Sequence, residues 1–580
     1  MRTRLFNCIT PNILIVPGLI VTLILLTSCA TEHKLRKEGP YLYDDDKKDI
    51  AEPASSNYNL VWDTFERSVF EQGDQFVNLD RNLCKLFGCP KQALNINSFD
   101  EVPNSTWFEN RHGQFRMTPE EIRLGLTTTG GPDTSGEWTV FRPKLQGATV
   151  GFWIEDIHGN QYIIKFDPPG FPEMATAAAA MGSRFFHACG YNVPEETIVY
   201  WKPHLLRIKE GVTYTDNAGQ VRPLTVEVLD EVLENVERSP DGYIRSLASL
   251  ALKNVKGPFS YDGTRKDDPN DWCKHQHRRE LRGLYVMASL INHYDTKDQN
   301  TLDAYEEEDG RCFLRHYLID FGSTFGSDGD KPKPAIKGYA NFFDIRDIFV
   351  SLITLGLKTW SWEYAEPYEY PSIGYFESKL FKPHKFDPIF PNPAFDEMTG
   401  RDAYWGAKIV MAFRDDDLRA LVDAGQFSDP EAAEYLFNTL KERRDKIGRH
   451  WFSKVNPLDH FSASYNSPDF RIAFEDLAVK YGLETESDTR YRHSVKYDGR
   501  KIISKRALED TELLLTSDDL DQMASYFAPP EKDGDSDNFL YEILIETQRS
   551  NQRWSKPTRL WLWYFPDERQ FKLVGIEHLD

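Results

Sequence analysis

The run His293-Tyr294-Asp295-Thr296-Lys297-Asp298-Gln299-Asn300, followed by Leu318-Ile319-Asp320-Phe321-Gly322, decides how this chain is read. Each run places carboxylates directly behind an apolar segment. Leu281, Leu284, Tyr285, Ala288 and Ile291 recur at helical spacing, so Arg279 to Ile291 is expected as a helix with one face in a core. Between the runs, Glu306-Glu307-Glu308-Asp309-Gly310-Arg311 reads as the turn of a hairpin whose return strand ends at Ile319.

Upstream the pattern is β-rich. Ala148 to Asp156 and Gln161 to Phe166 read as strands joined at His158-Gly159-Asn160. Glu173 to Ala188 is alanine-rich and helical, with Gly190 as its stop, and Asn192-Val193-Pro194 leads into a strand over Thr197 to Trp201. More helices are expected over Asp402 to Phe452, with Leu436, Leu440, Ile447 and Trp451 on one side. After Asn456-Pro457 strands return, and Phe539 to Ile545, Leu560 to Phe565 and Phe571 to Ile576 alternate as in an antiparallel sheet.

Taken together, the two runs resemble the protein kinase-like superfamily: the first fits H-x-D-x-x-x-x-N and the second fits D-F-G. Phosphoryl transfer asks for positioned charge rather than covalent help, with one carboxylate for the hydroxyl proton and hard oxygen ligands for Mg²⁺. The resemblance implies Asp295 as catalytic base, Lys297 as a cation near the transferred phosphate, Asn300 and Asp320 as metal ligands, and His293 as structural. It implies ATP and Mg²⁺ as cofactors. In the upstream lobe, Lys165 in Tyr162-Ile163-Ile164-Lys165-Phe166 would pair with the nucleotide phosphates, Glu173 would hold that lysine, and Gly147 and Gly151 would belong to a phosphate-covering loop. The compact lobe is similar to the HipA-type and actin-fragmin kinase branch. No A-P-E string follows Gly322, and Ser323 to Pro334, rich in Gly, Lys and Pro, reads as mobile.

Each residue also has a plainer reading. An Asp and an Asn after a helix serve as caps or turns, and a strand lysine is often a solvated charge. Glu173 fits the first turn of a helix simply as an acid. A G-x-x-x-G run is often only a bend.

At the N-terminus, Arg2 and Arg4 precede an apolar run from Ile13 to Leu26, and Leu26-Thr27-Ser28-Cys29 closes it. That tetrapeptide resembles the lipobox of bacterial lipoproteins, which implies cleavage before Cys29, acylation of its thiol and a membrane anchor. The alternative is an uncleaved N-terminal membrane helix, for which the apolar run is short. Ala30, not Asp, follows the cysteine, which by the same resemblance favours the outer membrane and places the protein in the bacterial cell envelope.

The expected class is α+β: a two-lobed kinase-like fold followed by a small antiparallel β-sandwich. The expected parts are a signal peptide (1–28), a disordered tether (29–56), a mixed extension (57–135), an N-lobe (136–205), a C-lobe (206–460) and a β domain (461–580). A net charge of -22 argues against nucleic acid as a partner. Cysteines are sparse and form no zinc pattern; Cys84 and Cys89 are either paired or separate buried thiols. Two functions compete: phosphate transfer from ATP to a protein or glycan hydroxyl, and a catalytically inactive binding or assembly module. Nucleotidyl transfer on the same fold is a third option.

Overall fold

The computed structural model describes residues 35–56, 91–144, 151–215, 220–342, 344–466, 468–528, 537–550 and 552–580. Cys29, Cys84, Cys89 and Gly147 lie outside the described residues. The described parts are α+β, with a sheet lobe, a helical region and antiparallel sheets at the C-terminal end. Among the described residues, no helix is long and apolar enough to cross a membrane.

The first lobe is a six-stranded sheet formed by β1 (Trp138–Lys144), β2 (Gly151–Glu155), β3 (Gln161–Lys165), β4 (Glu196–Trp201), β5 (Leu206–Ile208) and a later strand, Ile244–Leu250. A small hairpin, β6 (Thr213–Thr215) and β7 (Val221–Pro223), precedes that strand, which is therefore β8. The order across the sheet is β4-β8-β3-β2-β1-β5. The β2–β3 turn forms where expected: Asp156 Oδ1 accepts from the backbone N–H groups of His158 and Asn160. The expected lobe boundary at residue 205 is too early, because β8 inserts between β3 and β4 and is indispensable to the sheet.

Helix α1 (Pro119–Leu124) precedes this sheet, and α2 (Met174–Cys189) covers one of its faces. Alanine has the best helix propensity and the smallest side chain compatible with a helix, so α2 can lie close to the strands. Ala179 and Ala180 pack directly on Ile198 of β4 and Leu247 of β8. The opposite face of the sheet buries Trp138, Phe152, Ile164 and Trp201, joined by Leu229 and Leu233 of α3 (Val226–Glu234).

In the helical region α4 (Arg279–Ile291) is buried along its whole length, as its apolar spacing and more besides require. Around it pack α7 (Gly400–Ala412) and α9 (Pro430–Trp451), with Leu436, Leu440, Ile447 and Trp451 turned inward as expected, while α8 (Asp415–Asp423) packs on α9, α1 and α2. Two further helices, α5 (Ile345–Ile353) and α6 (Pro393–Asp396), lie between in sequence. The start of α4 carries three fully buried arginines, and such charges persist only when paired. Arg279 Nε and Arg282 Nη1 each donate to the Asp402 carboxylate at 3.0 Å, and Arg279 also meets Asp100 at 2.6 Å. Burial alone would raise the Asp402 carboxyl, but the two guanidinium groups outweigh it and hold it below its ordinary value.

Residues 35–56 are not a free tether. Asp46 is buried and accepts from Thr106 N and Oγ1 at 2.8 and 2.7 Å. Ile50 N donates to Cys312 O, Lys47 pairs with Glu308, and Ser56 N donates to Lys256 O. These partners of the polar strap are remote in sequence, which is why local composition reads as disorder. The extension likewise belongs to the core: Val102, Trp107, Phe108 and Ile122 are buried with α2 and α4.

The strands β9 (Val255–Gly257), β10 (Thr301–Glu308) and β11 (Arg311–Leu318) form a three-stranded sheet under the site. From Leu458 onward come β12 (Leu458–Asn466), β13 (Asp469–Asp476), β14 (Thr489–Tyr497), β15 (Arg500–Leu508), β16 (Glu512–Leu515), β17 (Leu540–Arg549), β18 (Thr558–Phe565) and β19 (Gln570–His578). They make sheets ordered β12-β13-β16 and β15-β14-β17-β18-β19, which share one core containing Phe470, Ile472, Val495, Ile543 and Leu560. The unit is anchored to the helical region by His578, whose Nδ1 lies 2.9 Å from Asp100 Oδ2 and whose Nε2 lies 2.8 Å from Leu458 O.

Burial pushes His187, His277, His450 and His493 down to about 4 and His293 to about 3. Unfolded, these rings take up protons near pH 6.5; folded, they resist until well below that. Their contribution to stability is therefore complete above pH 6.5 and lost as pH falls toward 4. Melting temperature is expected to drop across that window. Both ring nitrogens of buried His493 lack a hydrogen-bond partner, so His493→Phe should flatten the slope by up to about 1.4 kcal/mol per pH unit. An unchanged slope would contradict this.

Candidate active site

The site forms where α4, the β10–β11 hairpin and the sheet lobe meet. Helix α4 stops because Asn292 takes the left-handed conformation (φ 51°), which Asn tolerates better than most residues. The next residue, His293, is buried between Phe186 and Phe321, with ring centroids 5.5 and 5.8 Å away. Burial pushes its ring down to about 3, so it is neutral near pH 7.

Asp295 is fixed from two sides. Asn300 Nδ2 donates to its backbone oxygen at 2.7 Å and to its Oδ2 at 2.9 Å, while Lys297 Nζ lies 2.7 Å from its Oδ1. Ile319 N donates to Asn300 O at 3.0 Å, so the loop holding Asp295 is bonded to the residue just before Asp320. Lys165 Nζ donates to Asp320 Oδ1 at 2.9 Å. Lys165, Asp320, Asn300, Asp295 and Lys297 thus form one connected group, although they come from strand β3 and two loops.

Asp320 has φ 61°, a left-handed conformation unfavourable for a residue with a Cβ, and strain of that kind collects at functional positions. The Lys165 ammonium holds its carboxyl down at about 2, with Lys144 and Lys297 adding to the effect. Lys144, which sequence reading missed, pairs in register with Gly151, and Gly151 with Lys165. The two lysines therefore lie on the same sheet face with a glycine between them. A Cβ at Gly151 would come within 2.0 Å of Ile164 O. Gly151 accordingly serves close strand packing at the edge of the site, and residues 145–150, on which the rest of the expected phosphate-covering loop falls, lie outside the described residues.

Phe321 is fully buried, with its ring 5.2 Å from Phe186. A Cβ at Gly182 of α2 would meet Phe321 Cβ at 2.5 Å, so the small residue there makes room for it. Phe321→Ala should cost about 3–5 kcal/mol, measured as a lower denaturant midpoint with unchanged slope. A loss below about 1 kcal/mol would contradict this packing role.

Glu173 does not hold Lys165. It precedes α2 at φ 69°, and its carboxylate accepts from Ser428 N at 3.1 and 3.0 Å. The end of the helix turns it toward the helical region, away from the sheet. The acid that shares a face with Lys165 is Glu196 on β4: Glu196 pairs with Ser249, and Lys165 with Leu247, two residues along the same strand. Burial pushes the Glu196 carboxyl up to about 7, partly offset by the Lys165 charge.

The loop after Phe321 is also more tied down than its composition implies. Buried Lys333 donates to Asn292 O at 2.7 Å and to Ser323 O at 2.9 Å, and Lys337 pairs with Asp328 at 2.7 Å. Burial lowers Lys333 to about 7.

A carboxylate and a neighbouring carboxamide are hard oxygen donors of the kind Mg²⁺ takes. Among the described residues no group of three or more His, Cys, Asp or Glu side chains could hold a metal.

No known family profile matches the chain, and no curated protein matches it. Among solved structures it is similar to the Helicobacter pylori proinflammatory kinase CtkA, at 11% identity and a TM-score of 0.32, over 55% of this chain and 96% of that one. It is similar to the Golgi casein kinase at 11% identity and a TM-score of 0.26, over 72% and 95% of the two chains. A form of that kinase with Mn/ADP bound aligns at 14% identity and a TM-score of 0.20, over 65% and 96%.

Proposed function

We propose that this chain is a lipid-anchored phosphotransferase of the bacterial cell envelope, moving the γ-phosphate of ATP onto a hydroxyl of a protein or glycan. The observation that carries the reading is the connected group Lys165, Asp320, Asn300, Asp295 and Lys297. Bound Mg²⁺ would neutralise phosphate charge and orient the nucleotide. Asp320 and Asn300 are the residues that would hold it. Lys165 binds the α- and β-phosphates, and Lys144 adds positive charge on the same sheet face.

Asp295 orients the acceptor hydroxyl and takes its proton as the new O–P bond forms and the bond from the γ-phosphorus to the bridging oxygen breaks, leaving ADP. Lys297, paired with Asp295, offsets charge on the moving phosphoryl group. Cys29 would carry the lipid, which supports an outer-membrane address and a membrane partner.

Purified mature protein is incubated with Mg²⁺ and ATP labelled at either the α- or the γ-phosphate. Transfer of the γ label alone is expected. Transfer of the α label would mean nucleotidyl transfer, and neither transfer nor Mg²⁺-dependent nucleotide binding would end the proposal.

A further inference from the structure

Helix α5 turns its apolar side away from the protein. Ile348 and Leu352, and Phe349 and Ile353, lie four residues apart and so share one face of the helix. All four are exposed, as are Leu355 and Leu357 just beyond the helix, over a range from 44% to 87%. On the other side of the helix, Asp347, Ser351 and Thr354 are half-buried. A helix on a body surrounded by water does the reverse and buries its apolar stripe. Single exposed apolar residues are ordinary, but a run of them marks a contact surface. No charged residue interrupts the stretch between Asp347 and Lys358.

The residues that follow have the chemistry of a bilayer surface. Lys358 Nζ lies 5.6 Å from the centre of the Trp360 ring, and exposed Tyr364 donates to Thr359 Oγ1 at 3.1 Å. Trp, Tyr and the long stem of Lys settle where headgroups meet acyl chains. At nine residues, or about 14 Å, α5 is too short to cross hydrocarbon but suited to lying flat in its surface. The strap keeps the lipid near: Lys572 Nζ of β19 donates to Glu38 O at 3.0 Å, so Cys29 is at most about 30 Å of extended chain from the folded body. With a net charge of -22 the chain is not drawn to anionic headgroups, which leaves apolar area to supply the adhesion.

We propose that the outward face of α5, continued by Leu355 and Leu357, is a docking surface for the lipid bilayer. Phe342, just ahead of α5, donates from its N to Ile389 O at 2.7 Å, and Ile389 N donates to Tyr294 O at 2.8 Å. Docking through α5 therefore holds the loop that carries Asp295 close to the lipid, within reach of a hydroxyl borne at the membrane surface. The argument from the tether rests on the lipid-anchored reading under Proposed function; the outward apolar face stands without it.

The mature chain carrying Cys29→Ser, on which no acyl chain can form, is sedimented with vesicles of phosphatidylethanolamine and phosphatidylglycerol. It is expected to bind them with an affinity that changes less than about twofold between about 0.1 and about 0.5 M NaCl. Phe349→Ser/Leu352→Ser should weaken binding at least about tenfold. Its melting temperature should stay within about 2 °C, because both side chains already face solvent in the free protein. Val221→Ser, at a 71% exposed position on β7, should bind as the parent does. No vesicle binding, binding abolished by salt, or an equal effect of the double variant and Val221→Ser would overturn the proposal. Sedimentation velocity would then show whether a second copy covers the face instead, as a dimer that the double variant splits. No nucleotide enters the measurement, so a chain that transfers no phosphate can pass it and one that does can fail it.

Discussion

Asp295→Asn is expected to abolish most phosphate transfer while leaving the fold and nucleotide binding in place. The replacement carboxamide can still accept from Asn300 Nδ2, which lies 2.9 Å from Asp295 Oδ2, so the loop keeps its internal tie. What disappears is a group able to take the acceptor proton, together with the 2.7 Å pair to Lys297. Removing a general base costs about 10²- to 10⁴-fold, and the loss should appear in kcat, with KM for the nucleotide little changed. The check is the γ-label assay run at saturating ATP with wild type and variant purified side by side. Transfer by the variant within about threefold of wild type would remove Asp295 from the chemistry.

The parts of this molecule that were legible in the sequence are those whose signal is local. The β2–β3 hairpin, the alanine-rich helix α2, the helix Arg279–Ile291 and the two motif loops all depend on neighbours within a few positions. Propensity, turn chemistry and periodicity capture such neighbours. The C-terminal strands were legible for the same reason: inward residues such as Ile543 and Ile545 alternate with outward ones along each strand.

What could not be read depends on register and on remote partners. The choice between Glu173 and Glu196 is the clearest instance. Glu173 lies eight positions from Lys165 and has the right type, yet the backbone at φ 69° points it at Ser428. Glu196 comes to share the lysine's face only because β8 pairs with both β3 and β4, and β8 is a Ser- and Ala-containing strand inside a stretch assigned to the other lobe. The strap over residues 35–56 and the buried lysine at 333 follow the same logic: polar segments whose partners are tens to hundreds of residues away. The buried arginines at the head of α4 carry a similar lesson. Only the fold brings Asp100, Asp402 and His578 to them, linking the C-terminal sheets to the helix whose other end presents His293 and Asp295.

Lys165, Asn300 and Asp320 are proposed to make a Mg²⁺-dependent nucleotide site. The most direct measurement is the melting temperature of the mature protein with and without ATP and Mg²⁺, for wild type beside Asp320→Asn. A ligand that binds only the folded state must stabilise it, by about 2.7 kcal/mol when present at a hundred times its Kd. In the variant the carboxylate that Lys165 now holds ionised is replaced by a neutral amide, and the site loses its only acidic oxygen donor proposed for the cation. An upward shift of several degrees is expected in wild type that requires both ATP and Mg²⁺ and is absent in Asp320→Asn. An equal shift in both proteins, or none in wild type, would contradict it.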